Sequence, residues 1–136
     1  MPEAMVHRPR SVPLARRLVA YLAVGAAHLI ASQSPRRIRT VLGCLRRGTR
    51  PATFAQAKAA RDTVVAVSLT CAAREGCVPR SLATVILCRL RGRWPTWCVG
   101  VRRLPPMAAH AWVEAEGAMV GEDYPPDYFR TLLSVP

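Results

Sequence analysis

The chain has 136 residues, about half of them hydrophobic, which suits one domain around one core. Twenty Lys+Arg against 8 Asp+Glu give a net charge of +12, which favours nucleic acid, anionic lipid or an acidic peptide or protein without choosing among them. Five cysteines, an odd number with no CxxC pair, exclude a closed disulfide set within one chain and give a zinc knuckle no support, so reduced, mostly buried thiols in a cytoplasmic protein are the simplest reading.

Residues 1–11 are polar and proline-containing and read as a loose N-terminus, with a single domain over 12–136. Val12 to Ser32 reads as a helix, with Ser11 as N-cap and Pro13 in the first turn. Its apolar run from Leu18 to Ile30 covers 13 residues, fewer than the roughly 20 that a membrane span needs. It is expected to be a buried or surface-seated helix, with weak membrane association left open. Arg36 to Arg47 is a second, strongly basic helix that carries Ile38, Val41, Leu42 and Leu45 on one face and stops at Gly48. Arg50-Pro51 reads as a turn, and Thr53 to Leu69 as a third helix.

A loop from Ala72 to Pro79 then holds Glu75, Gly76 and Cys77. Arg80 to Arg91 is a fourth helix with Leu82, Val85, Ile86 and Leu90 inward, ended by Gly92. The hydrophobic period then changes from 3.6 to 2. Trp97 to Arg103 and Ala108 to Ala115 read as strands separated by Leu104-Pro105-Pro106. Glu116-Gly117 is a two-residue hairpin turn into a third strand, Ala118 to Asp123, and a short tail runs from Tyr128 to Val135. The fold class is α+β: a helical half, 12–91, packed on a small antiparallel sheet, 97–136.

Three residues stand out from this frame. Cys77 lies just ahead of a helix whose first turn holds Pro79, and unpaired N–H groups with the positive end of the helix dipole favour a thiolate there. His110 opens the second strand. If the hairpin turn is Glu116-Gly117, Ala115 pairs with Ala118, Glu114 with Met119, Trp112 with Gly121 and His110 with Asp123. Cross-strand neighbours sit about 4.5–5.5 Å apart at Cβ, close enough for a carboxylate to orient an imidazole. A slip of one residue would substitute Glu122 for Asp123. Cys77, His110 and an acid form a nucleophile, a base and an orienting group. Trp112 is a candidate substrate contact or plain core. Arg80 is a candidate for substrate binding or for pairing with a carboxylate near the site, and Glu114 shares the His110 face. No metal ligand set or cofactor motif is present in the sequence.

The segments Cys77-Val78-Pro79-Arg80-Ser81-Leu82-Ala83, Gly100-Val101-Arg102 and Ala109-His110-Ala111-Trp112-Val113-Glu114, with Gly117, resemble the transglutaminase-like leader peptidases of lasso-peptide biosynthesis. The likeness covers roughly residues 64–136, with its two main motifs about 33 residues apart. It implies a transglutaminase-like, papain-like core and a cysteine protease that removes the leader from a ribosomally made precursor peptide. The family's nucleophile falls on Cys77, its base on His110 and its acid on the segment Gly121-Glu122-Asp123. A chain this short resembles the split form, which works with a separate leader-recognition protein and hands its product to an ATP-dependent lasso cyclase. Arginines 36, 37, 39, 46, 47 and 50 would then offer a docking face for an acidic leader or carrier.

Two other readings compete. The same triad in a transglutaminase-like acyltransferase would pass the acyl group to an amine rather than to water. A small basic module binding RNA or membrane would account for the charge. However, no nucleic-acid recognition motif appears, and that reading leaves the Cys–His–acid arrangement unexplained, so nucleic acid is not an expected partner.

Overall fold

The computed structural model describes residues 13–122, 124–125 and 127–136, apart from the side chain of Arg74. The expected loose N-terminus and the Ser11 cap lie outside the described residues. Helix α1 spans Leu14–Ala31 and α2 spans Pro35–Leu45. The Ser34 hydroxyl accepts from Arg37 N, and Pro35 occupies the first helical position, where a missing N–H costs nothing. Strand β1, Arg50–Pro51, occupies the expected turn and pairs in parallel with β2, Arg93–Trp94. The chain passes these two points close together on its way into α3 and into the sheet.

Helix α3 spans Phe54–Val67 and begins with a full capping box between Thr53 and Gln56. The expected single helix to Leu69 breaks at Ser68, whose backbone is extended and whose hydroxyl accepts from Cys71 N. That bond starts a second short helix, α4, Leu69–Ala72. A 3-10 turn, Arg74–Gly76, leads directly into α5, Cys77–Leu90, so Cys77 is the first residue of the helix rather than a residue ahead of it.

Strands β3 (Thr96–Arg102), β4 (Ala109–Ala115), β5 (Ala118–Met119) and β6 (Phe129–Val135) form an antiparallel sheet in the order β5-β4-β3-β6. The tail is therefore an edge strand. Its alternation is hidden in the sequence by a register irregularity opposite Val99 and Gly100. Helix α5 forms the centre of the core: Leu82, Ala83, Thr84 and Val85 are fully buried. One face of the sheet, with Trp97, Ala111, Val113 and Val135, joins Ile38 and Leu42 of α2 and Val64 of α3 around it. The Ser81 hydroxyl donates to Val78 O at 2.9 Å and accepts from Trp97 Nε1 at 3.0 Å, which pins the first turn of α5 to the sheet.

Helix α1 falls within the expected span, Val12 to Ser32, and differs from expectation in its apolar extent. It has 18 residues and a mean hydropathy of 1.4, long and apolar enough to cross a membrane by those two measures, and 22% of it is buried.

Candidate active site

The hairpin puts Glu116 and Gly117 at φ 54° and 78°, and its ladder pairs Ala115 with Ala118 and Glu114 with Met119. The ladder then ends. Gly121 adopts φ 69°, so the chain swings off the extended path, and Gly121 is not paired with Trp112 as that register expects. Asp123, the acid favoured by that register, lies outside the described residues. Glu122 comes back onto His110, with Oε1 2.7 Å from Nε2.

Beyond its two paired residues, β5 leaves the edge of β4 uncovered, and the N-terminus of α5 approaches there. There the Cys77 thiol comes under the influence of the His110 ring and the Ala111 backbone, both of which draw its pKa down. Gly76 makes this approach possible. A Cβ on it would lie 2.1 Å from Thr70 O and 3.1 Å from Cys71 Cα, so the turn could not close on α4 with any side chain at that position.

Glu122 is held from behind. Its side chain is 6% exposed, with Arg61 Nη2 3.5 Å from Oε2 and Arg80 Nη2 3.6 Å from Oε1. Arg80 also donates to Cys71 O at 3.0 Å and to Ala73 O at 3.3 Å, tying the turn before Cys77 to the carboxylate. The guanidinium is thus bound to the protein, in the carboxylate-pairing role weighed for it in the sequence. Arg61 escaped the sequence reading, although its spacing marks it: Ala57, Arg61, Val64 and Val65 form the buried stripe of α3. A Cβ on Gly121 would lie 2.6 Å from Arg61 Cδ, Nε and Cζ, so this glycine is needed both for its conformation and for the room it leaves.

The cysteines separate electrostatically. Burial raises the pKa of Cys71, and that of Cys88 and Cys98 to about 12. Cys77 goes the other way. Burial alone would raise it, but the hydrogen bonds from His110 and the Ala111 backbone and the charges of His110 and Arg80 outweigh that effect. Burial would likewise lower His110, yet its bonds to Cys77 and Glu122 lift it to about 9. Burial works against the Glu122 carboxylate too, and is overcome by His110, Arg80 and Arg61, which hold it below the ordinary range. The arrangement favours thiolate, imidazolium and carboxylate together.

The other side of His110 is aromatic. Phe129 stacks on its ring with centroids 4.8 Å apart, Trp112 lies at 5.9 Å, and Tyr124 meets it edge-on at 5.7 Å. Trp112 is buried and donates Nε1–H to Glu114 Oε2 at 2.8 Å, so it forms part of the wall behind the histidine. Phe129 and Tyr124 were not singled out from the sequence because the tail was not read as a strand. Among the described residues, no group of three or more His, Cys, Asp or Glu side chains is placed to hold a metal ion.

A helical half followed by a small antiparallel sheet, with a cysteine at a helix N-terminus facing a histidine on a strand, defines a cysteine-centred α+β domain. The profile of the transglutaminase-like superfamily matches residues 20–134, and the chain belongs to that superfamily, which includes cysteine peptidases and acyltransferases. No curated protein and no solved structure matches the chain.

Proposed function

We propose that the protein is a cysteine peptidase that removes the leader from a ribosomally made precursor peptide of the lasso type, with Cys77 as nucleophile, His110 as base and acid, and Glu122 as the orienting carboxylate. The observation that supports the chemistry is the 2.7 Å pairing of His110 Nε2 with Glu122 Oε1, together with a Cys77 thiol whose pKa His110 draws down. The resemblance of Cys77-Val78-Pro79-Arg80-Ser81-Leu82 and His110-Ala111-Trp112-Val113-Glu114 to the leader peptidases supports the choice of substrate.

In this reading the Cys77 thiolate attacks the scissile carbonyl and forms a C–S bond. His110 gives its proton to the departing amine, which is the new N-terminus of the core peptide, and the leader stays on Cys77 as a thioester. Water then attacks the thioester while His110 accepts its proton. The leader leaves as a free acid, and thiolate and imidazolium are restored. The Cys77 backbone N–H, at the start of a 14-residue helix, is one natural donor to the developing oxyanion. A separate leader-recognition protein and an ATP-dependent cyclase are the partners of this reading, in the cytoplasm.

The test is a mass-spectrometric cleavage assay with a precursor peptide and its leader-binding partner, using wild type and Cys77→Ala. Release of leader by wild type alone supports the proposal. Equal release by both sinks the Cys77 mechanism, and an amine adduct of the leader in place of the free acid would mark an acyltransferase instead.

A further inference from the structure

Helix α1 is apolar on both sides, with its large residues turned outward. Ala20 and Ala27 are fully buried, whereas Leu14 is 73% exposed, Leu18 56%, Leu22 75% and Leu29 74%. At the helical period these four leucines fall on one stripe opposite the alanines, ~23 Å long at 1.5 Å per residue. A continuous exposed apolar stripe of this kind marks an interaction surface.

The surroundings indicate what covers it. Neither α1 nor α2 contains an acidic residue. Arg16 is exposed one turn before Ala20, on the alanine side of the helix, and Arg36, Arg37 and Arg39 are exposed just past the far end of the stripe. Along one flank runs a groove of about 700 Å³ between α1, α3 and α5, lined by Val19, Leu87 and Leu90 together with Arg91 and Arg93. A leucine stripe beside a groove lined by apolar and cationic residues matches a surface that is hydrocarbon below and anionic above. A second copy fits less well, since each copy carries a net charge of +12.

We propose that α1 seats the domain on an anionic lipid surface. The leucine stripe enters the acyl boundary, and Arg91 and Arg93 take headgroup phosphates. The helix lies in the plane of the interface and does not cross it, because its alanine face is packed on the domain. This seating is independent of the chemistry at Cys77.

The experiment is co-sedimentation of the full chain with vesicles containing phosphatidylglycerol and with vesicles of pure phosphatidylcholine. The proteins are wild type, Leu18→Gln/Leu22→Gln, and Arg91→Gln/Arg93→Gln, each checked for folding by circular dichroism. Wild type should sediment with the anionic vesicles only. The leucine variant should bind at least about tenfold more weakly, and each arginine removed should cost about fivefold. The proposal falls if wild type stays in the supernatant. It also falls if the leucine variant binds undiminished, or if wild type is a dimer by sedimentation velocity that the leucine variant abolishes.

Discussion

Replacing Glu122 by Gln keeps the shape of the side chain and removes the charge that His110 faces. The fold lifts His110 from 6.5 to about 9 against the effect of burial. At roughly 1.4 kcal/mol per pKa unit that rise is worth about 3 kcal/mol. The two sources are Cys77 and Glu122, so losing one should cost on the order of half of it and bring the His110 midpoint down by at least about one pH unit. The imidazolium then stabilises the Cys77 thiolate less, and the thiol pKa rises. NMR titration of the His110 ring reads the first effect, and the pH dependence of Cys77 alkylation reads the second. The variant also leaves Arg61 and Arg80 facing a neutral amide, so a stability loss of about 3–5 kcal/mol is expected, and both titrations must be made where circular dichroism shows a folded chain. A His110 midpoint in folded Glu122→Gln equal to that of wild type would refute the role given to this carboxylate.

Gly121→Ala should lower the urea midpoint by the equivalent of about 1–3 kcal/mol, because alanine is strained at φ 69° and its Cβ would press on Arg61; an unchanged midpoint would remove the reason given for the turn. Trp97→Phe removes the 3.0 Å bond to Ser81 and should cost ~1–2 kcal/mol in thermal denaturation. The folded pKa of Glu122 is lowered, so its contribution to stability is present above the ordinary carboxylate value of 4.5 and is lost as the pH falls through its folded value. Acid unfolding of Glu122→Gln, followed by fluorescence, should therefore show a shallower limb than wild type. Hydrolysis should decline as the pH passes about 9, where His110 loses the proton it gives to the leaving amine, whereas alkylation of Cys77 should not decline there.

Much of the architecture could be read from local signals. Caps and stops mark the helices, notably Ser34 with Pro35 and Thr53 with Gln56, and the change of period at Trp97 marks the sheet. The hairpin at Glu116-Gly117 and its first two pairs follow from turn chemistry. The contact of Glu122 with His110 does not follow from extending that register, because Gly121 leaves the strand path beside Arg61, 60 residues earlier in the chain. Arg61 itself is an arginine on a buried stripe, which a pattern of apolar positions passes over. The edge strand β6 was hidden because a bulge breaks its alternation and because its pairing with β3 is non-local. The apolar extent of α1 was underestimated by counting only the uninterrupted run from Leu18 to Ile30, since the whole helix Leu14–Ala31 is apolar on average.

Exposure and electrostatics make opposite claims about which thiol should react first. Cys44 is exposed and Cys77 is half-buried, while Cys77 alone is bonded to an imidazolium and drawn toward the thiolate. The most direct measurement is therefore competitive alkylation of the native protein at neutral pH with limiting iodoacetamide, followed by peptide mapping of all five cysteines. The site described here predicts that Cys77 is modified ahead of Cys44, and that His110→Ala reverses the order. Modification of Cys44 first in wild type, with Cys77 no faster than a buried thiol, would contradict it.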